Sequence, residues 1–144
     1  MKRILIILVL APGILIAQNA CKTCSEFSKT EEWSKFMQCV TKEIEKDNNI
    51  NDYMCRAISY GFAFSNLNSI ESNDGKKILK KEALNLALQD FNTIIKLDST
   101  FANGIPFKLR SEVKKQLGKD HCNDMKIYCQ LTNRCEDYEK DCQK

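Results

Sequence analysis

Apolar residues recur every three or four positions through the middle of the chain, between residues 82 and 101. The positions of this stripe are Leu84, Ala87, Leu88, Phe91, Ile94 and Ile95. This spacing is that of one face of an amphipathic helix, which turns about once every 3.6 residues. The pattern ends at Leu97, and Asp98, Ser99 and Thr100 supply turn residues. The sequence therefore predicts a helix over residues 82–97 with one buried face.

Two further helices are predicted before this one. The first covers residues 26–46 and is broken by Asp47-Asn48-Asn49. Its apolar positions are Trp33, Phe36, Met37, Val40 and Ile44. The second covers residues 51–67, and the residues expected towards its neighbours are Met54, Ala57, Ile58, Gly61, Phe62 and Phe64. A glycine inside a helix costs about 1 kcal/mol relative to alanine, so Gly61 predicts a close approach between helices.

Three shorter helices are predicted in the C-terminal part. Pro106 suits the first turn of a helix that Gly118 ends, and two more helices cover residues 119–131 and 135–142. Residues 68–77 are polar and rich in turn formers, which predicts a loop leading into a small lysine cluster formed by Lys76, Lys77, Lys80 and Lys81. No segment alternates between apolar and polar residues, so the predicted fold class is all-α.

Four of these helices resemble the tetratricopeptide (TPR) repeat, a helical hairpin that stacks into arrays. In a first repeat the matching residues are Gly61, Ala63, Phe64, Leu67, Ala87, Phe91, Ile94, Leu97 and Asp98. In a second they are Phe107, Leu117, Gly118, Met125, Tyr128 and Leu131. Ser111 and His121 depart from the pattern, standing where the repeat has glycine and alanine. Roughly fourteen extra residues also separate the helices of the first repeat.

The resemblance implies antiparallel helical hairpins stacked as a short array. Residues 18–144 would form a single all-α domain in three parts. An N-terminal helix occupies residues 18–50, two TPR-like repeats occupy residues 53–131, and a capping helix occupies residues 133–144.

Composition supports a packed domain with no strong charge. Hydrophobic residues make up 43% of the 144 positions, and the formal net charge is +3. Lys2 and Arg3 lie in the predicted leader, and without them 20 basic and 19 acidic residues remain. This near neutrality gives no electrostatic reason to expect a nucleic acid or an anionic membrane as partner.

Residues 1–17 resemble a signal peptide, with a basic start, an apolar run and a small residue at Ala17. The run contains Pro12 and Gly13 and is too short to span a bilayer comfortably, so no stable membrane insertion is expected. The sequence predicts export, to the periplasm or the medium. An alternative interpretation makes Cys21 a lipidated cysteine.

Eight cysteines suit an exported protein, in which they can oxidise to disulfides. Two pairs in the C-terminal region, Cys122 with Cys142 and Cys129 with Cys135, lie symmetrically about a turn near Thr132. In an antiparallel hairpin, residues placed in this way face each other. The predicted bonds are Cys122–Cys142, Cys129–Cys135, Cys39–Cys55 and Cys21–Cys24. Free buried cysteines are the alternative.

Few residues point to catalysis. The chain has one histidine, His121, and lacks a metalloprotease spacing, a phosphate-binding glycine loop and a nucleophile elbow. A single Cys-x-x-Cys is insufficient for a paired zinc site. We therefore expect no enzyme activity, no cofactor and no metal. A thiol–disulfide protein that uses Cys21 and Cys24 is the main alternative.

The resemblance implies a module that binds a protein or peptide partner on the face formed by the first helix of each repeat. The corresponding groove positions are Ile58, Phe62, Ser65, Asn66, Lys108, Glu112, Lys115 and Gln116. A secreted helical effector or inhibitor without a groove is a further alternative, and the segment 68–77 would then be its epitope.

Overall fold

The helical periodicity of the sequence corresponds to seven helices within the part of the chain that the computed structural model describes, residues 21–29, 33–62, 69–71 and 75–143. They are α1 (Ser25–Lys29), α2 (Trp33–Asp47), α3 (Ile50–Phe62), α4 (Lys80–Leu97), α5 (Ile105–Gln116), α6 (Cys122–Thr132) and α7 (Glu136–Cys142). Two short strands, β1 (Ser69–Glu71) and β2 (Lys77–Leu79), lie between α3 and α4. The mostly helical fold class is thus confirmed, and the predicted leader lies outside the described residues.

Helix α4 confirms the amphipathic helix predicted over residues 82–97. Its apolar face is buried as predicted at Leu84, Ala87, Leu88, Phe91 and Ile94, whereas Ile95, the last predicted member of the stripe, is only half-buried. The helix ends at Leu97, which is 50% exposed, and the backbone amide of Asp98 donates a hydrogen bond to the carbonyl of Ile94. The helix thereby buries one face and leaves the other exposed.

The core consists of two neighbouring clusters on either side of α3. The first joins α1 to α3 with β2 and the first part of α4, and its buried members are Cys24, Phe36, Met37, Val40, Ile44, Cys55, Ile78 and Ala83. The second joins α3, α4 and α5, and its buried members are Met54, Ala57, Leu84, Ala87, Leu88, Phe91, Ile94 and Val113. Tyr53 and Tyr60 pack against both clusters. Helix α3 therefore connects the N-terminal helices to the rest of the fold.

Gly61 lies at the closest approach of three helices, as its position inside a predicted helix indicated. A Cβ atom added there would lie 3.1 Å from Cγ2 of Val113 on α5 and 3.7 Å from Cβ of Ala87 on α4. A larger side chain at this position would separate α3 from α5. The predicted close approach is confirmed.

The segment between α3 and α4 differs from the predicted loop. Strands β1 and β2 pair antiparallel, with Ser69 opposite Leu79, Ile70 opposite Ile78 and Glu71 opposite Lys77. Each strand has only three residues, too few to produce a recognisable alternation in the sequence. Ile78 is 6% exposed and belongs to the first cluster, so β2 is held by tertiary packing.

The N-terminal disulfides correct the predicted pairing. Cys21 bonds to Cys55 on α3, and Cys24 bonds to Cys39 on α2, with Cα atoms 5.3 and 5.9 Å apart. The predicted Cys21–Cys24 and Cys39–Cys55 bonds are therefore wrong. That prediction treated α2 and α3 as an isolated hairpin. In the structure the segment before α2 packs against this hairpin, and each of its cysteines reaches a different helix.

Candidate functional site

The groove positions from α3 are only partly placed by the structure. Ile58 is half-buried and packs against the second core cluster. Phe62 is the last residue of α3, but its side chain lies outside the described residues, as do Ser65 and Asn66. Ile58 thus serves the core at least in part.

The groove positions from α5 lie on a surface that α7 also contacts. Nζ of Lys108 lies 3.3 Å from Oδ2 of Asp137 and 5.5 Å from the ring centre of Tyr128. Nζ of Lys115 donates a hydrogen bond of 2.6 Å to Oδ2 of Asp141. Two of the predicted partner-binding lysines are therefore already paired within the chain.

The hydrogen bond between Lys115 and Asp141 shifts the pKa of both groups. It is the main cause that raises the pKa of Lys115 and the main cause that lowers the pKa of Asp141. Both shifts favour the charged forms. Because both groups are exposed to water, we expect the pair to orient α7 on α5 more than to stabilise the fold.

Of the remaining groove positions on α5, Gln116 lies beside the start of α4. Gln116 is exposed and lines a shallow cleft of about 420 Å³ together with Leu117 and with Lys80, Lys81 and Leu84 of α4. Two lysines of the cluster recognised in the sequence thus lie beside a predicted groove residue. The cleft combines an apolar floor with cationic and amide groups at its rim.

The C-terminal disulfides confirm the predicted register. Cys122 bonds to Cys142, and Cys129 bonds to Cys135, with Cα atoms 5.6 and 4.6 Å apart. Helix α7 therefore folds back on α6 about the turn at Asn133, which has a positive φ of 57°. All eight cysteines of the chain are paired.

His121 stands next to one of these bonds. A nitrogen of its imidazole and the sulfur atoms of Cys122 and Cys142 all lie within 4.8 Å of one another. The sulfur of Met125 is 3.9 Å from Sγ of Cys142. Nε2 of His121 is buried and has no hydrogen-bond partner among the described residues. Three residues of metal-ligand type meet here, but metal ligation requires thiolates, and these two sulfurs are bonded to each other.

Two buried aspartates form ion pairs that the sequence analysis missed. Asp90 on α4 accepts hydrogen bonds of 2.9 and 2.8 Å from Nε and Nη2 of Arg56 on α3. Asp124 on α6 accepts hydrogen bonds of 2.8 and 2.6 Å from Arg110 on α5 and lies 2.9 Å from Nζ of Lys114. Asp90 falls within the apolar stripe of α4, and that position was a usable signal of a buried charge that needs a partner.

The pKa values of Asp90 and Asp124 are shifted in opposite directions from the ordinary value of an aspartate. Burial raises the pKa of Asp90, and the hydrogen bonds from Arg56 only partly oppose this effect. Burial also acts to raise the pKa of Asp124, but hydrogen bonds from Arg110 and Lys114 outweigh it, and the pKa is lowered. Asp124 has two cationic partners where Asp90 has one, which explains the difference.

Comparison with protein-family models, with curated proteins and with solved structures finds no match. The interpretation of the site therefore depends on its own geometry. Among the described residues, no helix has both the length and the apolar character needed to cross a bilayer.

Proposed function

We propose that this protein is an exported helical module that binds a protein or peptide partner on a TPR-like surface and has no catalytic role. The observation that supports this proposal is the close contact of α3 with α5 at Gly61 and Val113, with Ala87 of α4 beside them, between two helices that otherwise pack mainly on α4. In a helical repeat each hairpin contacts only its neighbours in the array, so a contact between the first helices of two successive hairpins is expected. Four disulfides are compatible with export.

The binding surface we propose is the part of the groove that α7 leaves accessible. Helix α7 pairs with Lys108 and Lys115 and so occupies one side of α5. Glu112 and Gln116 lie on α5 without a contact to α7 among the described ion pairs, and Gln116 borders the cleft with Lys80 and Lys81. An extended segment would place apolar side chains over Leu84 and Leu117 and polar groups on the surrounding amide and ammonium groups.

A photo-crosslinking experiment tests the location of this surface. A photoreactive residue in place of Gln116, which is exposed and lines the cleft, should crosslink to a partner from the exported fraction. The matched control carries the same residue in place of Gln89, which is exposed on α4, outside the proposed surface. Equal crosslinking from both positions, or crosslinking from Gln89 alone, would contradict the proposed surface.

A second experiment tests the groove positions by substitution. Replacing Lys80, Lys81 and Gln116 by alanine together should abolish capture of the crosslinked partner, because these side chains border the proposed cleft. The control replaces Asp137 and Asp141 by asparagine, which weakens the ion pairs of α7 with Lys108 and Lys115 and leaves the cleft residues in place. Loss of the partner in the first variant alone supports the groove. Loss in both variants would show that the attachment of α7 is what matters, and retention in both would exclude the groove.

The alternative of a helical effector or inhibitor is favoured by one observation. Strands β1 and β2, which lie between α3 and α4, pair antiparallel, and Leu79 at the end of β2 is 60% exposed. Leu79 lies two residues after the predicted epitope 68–77 and offers a target protein an apolar contact. Replacing Leu79 by serine should weaken partner capture if this alternative holds, and should leave it unchanged if the groove is the binding surface.

The alternative that uses Cys21 and Cys24 as a redox pair receives no support from the disulfides. Such a site cycles between a bond joining its two cysteines and a dithiol. In the structure each of the two cysteines is bonded to a different helix.

A further inference from the structure

The chain contains one histidine and four disulfides, and the histidine lies beside one of them. Cys129–Cys135 in the same α6–α7 hairpin is the natural comparison, because all four cysteines of this hairpin are half-buried. The two bonds thus have similar exposure but different surroundings. Only Cys122–Cys142 has an imidazole within 4.8 Å of both sulfurs.

The position of His121 is not explained by local structure. It is the residue before α6, but its side chain makes no capping hydrogen bond to that helix. Nε2 is withdrawn from solvent and has no partner among the described residues, which is an uncommon state for a buried polar atom. An imidazolium can release a proton near neutral pH, so one placed beside a disulfide can protonate the thiolate that forms when the bond is broken.

We propose that Cys122–Cys142 is a reactive disulfide that exchanges with thiols, and that His121 is the proton donor to its leaving sulfur. This activity is independent of partner binding. The substrate class is a thiol, either a small molecule or a cysteine of another protein.

The exchange takes two steps. In the first, a thiolate attacks one sulfur of the pair, a mixed disulfide forms, and the Cys122–Cys142 bond breaks. The electron pair of that bond remains on the other sulfur, which takes a proton from the imidazolium of His121. In the second step another thiolate attacks the sulfur of the substrate in the mixed disulfide and releases the second cysteine as a thiolate, which takes a proton from water. Two thiols are thereby oxidised to one disulfide, and the protein disulfide is reduced to two thiols.

The rest of the fold permits this bond to open. Cys129–Cys135 still connects α6 to α7, and Asp137 still pairs with Lys108 on α5. The two core clusters contain neither Cys122 nor Cys142. Reduction would therefore loosen the C-terminal end of α7, which Asp141 still joins to Lys115 by an exposed ion pair, without opening the helical core.

The test follows each disulfide of the intact protein separately. The protein is incubated with excess reduced glutathione and quenched with acid at intervals. Its thiols are then alkylated, and mass spectrometry of peptides gives the reduced fraction of each cysteine. We expect Cys122 and Cys142 to be reduced before the other six cysteines. In His121→Gln, which keeps a polar side chain but cannot donate a proton from an imidazolium, this rate should fall roughly tenfold.

Two comparisons separate proton donation from a structural effect. The reduction rate of Cys129–Cys135 should be unchanged in His121→Gln, because no histidine adjoins that bond. A variant that only loosened the hairpin would be reduced faster, which is the opposite of the predicted change. His121→Lys, which restores a cationic donor, should recover part of the rate. Reduction of Cys122–Cys142 no faster than that of Cys129–Cys135, or an unchanged or faster rate in His121→Gln, would overturn the proposal.

Discussion

The guanidinium of Arg110 donates two parallel hydrogen bonds to the carboxylate of Asp124, from Nε to Oδ2 at 2.8 Å and from Nη2 to Oδ1 at 2.6 Å. Asp124 is fully buried, whereas the side chain of Arg110 is 15% exposed. A paired geometry of this kind satisfies both carboxylate oxygens and fixes the orientation of the two side chains. The pair therefore sets how α6 lies against α5, and with it the position of the disulfide hairpin.

Removing Asp124 should cost much more stability than removing an exposed aspartate. Asp124→Ala leaves the cations of Arg110 and Lys114 without their buried partner, and breaking a buried pair typically costs about 3–5 kcal/mol. Asp137→Ala is the control, since the side chain of Asp137 is 63% exposed. The free energy of unfolding of the Asp137→Ala variant should be nearly that of the unmodified protein. Chemical denaturation of both variants measures the difference, and equal losses would contradict the structural role of Asp124.

The pH dependence of stability should reflect the opposite pKa shifts of Asp90 and Asp124. The folded-state pKa of Asp124 lies below its ordinary value of 3.8, so the folded state binds fewer protons than the unfolded state below about pH 4. Its stabilising contribution is present above that pH and is lost as the pH falls through the folded-state pKa. Asp124→Asn should therefore make the acid loss of stability less steep.

Asp90 should behave in the opposite way. Its folded-state pKa lies above 3.8, so its contribution to stability is present at lower pH and is lost as the pH rises through the folded-state pKa. Asp90→Asn removes the gain that acidification would otherwise bring, so stability should fall more steeply as the pH is lowered towards 3.8, the ordinary pKa of an aspartate. Denaturation at several pH values measures both slopes. Slopes that change in the same direction in the two variants would contradict the assignment.

The close approach at Gly61 predicts a coupled pair of substitutions. Gly61→Val should destabilise the fold by about 1–3 kcal/mol, because the added side chain meets Val113. Adding Val113→Ala should return part of that loss, with a coupling energy of about 1 kcal/mol. Gly118→Ala serves as a control for additivity, since no atom lies within 4 Å of its added Cβ and any loss of stability comes from its own positive φ of 67°. The losses of stability caused by Gly118→Ala and Val113→Ala should simply add in the double variant. If the losses caused by Gly61→Val and Val113→Ala also simply add, the contact between Gly61 and Val113 is excluded.

The disulfides should differ in their contribution to stability according to the length of chain they close. Cys21 and Cys55 are 34 residues apart, whereas Cys129 and Cys135 are six apart. Loop-closure entropy gives about 4 kcal/mol for the first bond and about 2 kcal/mol for the second. To test this order, the two cysteines of each bond are replaced by alanine and the free energy of unfolding of each variant is measured. The loss should be larger for Cys21–Cys55 than for Cys129–Cys135. Peptide mapping without reduction should also find Cys21–Cys55 and Cys24–Cys39, and a Cys21–Cys24 peptide would contradict the structure.

The sequence by itself determined the features that depend on neighbouring residues. The burial of Phe91 and Ile94 follows from helical periodicity, because residues three or four apart share a face whatever the helix packs against. The C-terminal disulfide register follows from the symmetry of Cys122, Cys129, Cys135 and Cys142 about one short turn. In both cases the geometry is local, so the spacing along the chain is sufficient to predict it.

Only the tertiary structure decided the contacts between distant segments. Cys24 bonds to Cys39 because a third segment packs against the α2–α3 hairpin, and no spacing within that hairpin reveals it. Likewise, Asp124 meets Arg110, and Lys115 meets Asp141, only because α6 and α7 dock on α5. A charged residue has several possible partners along the chain, and the packing of the helices selects one by bringing it within hydrogen-bond distance while excluding water. The sequence thus determined the helices and the local hairpin, and their packing decided which side chains form the candidate sites.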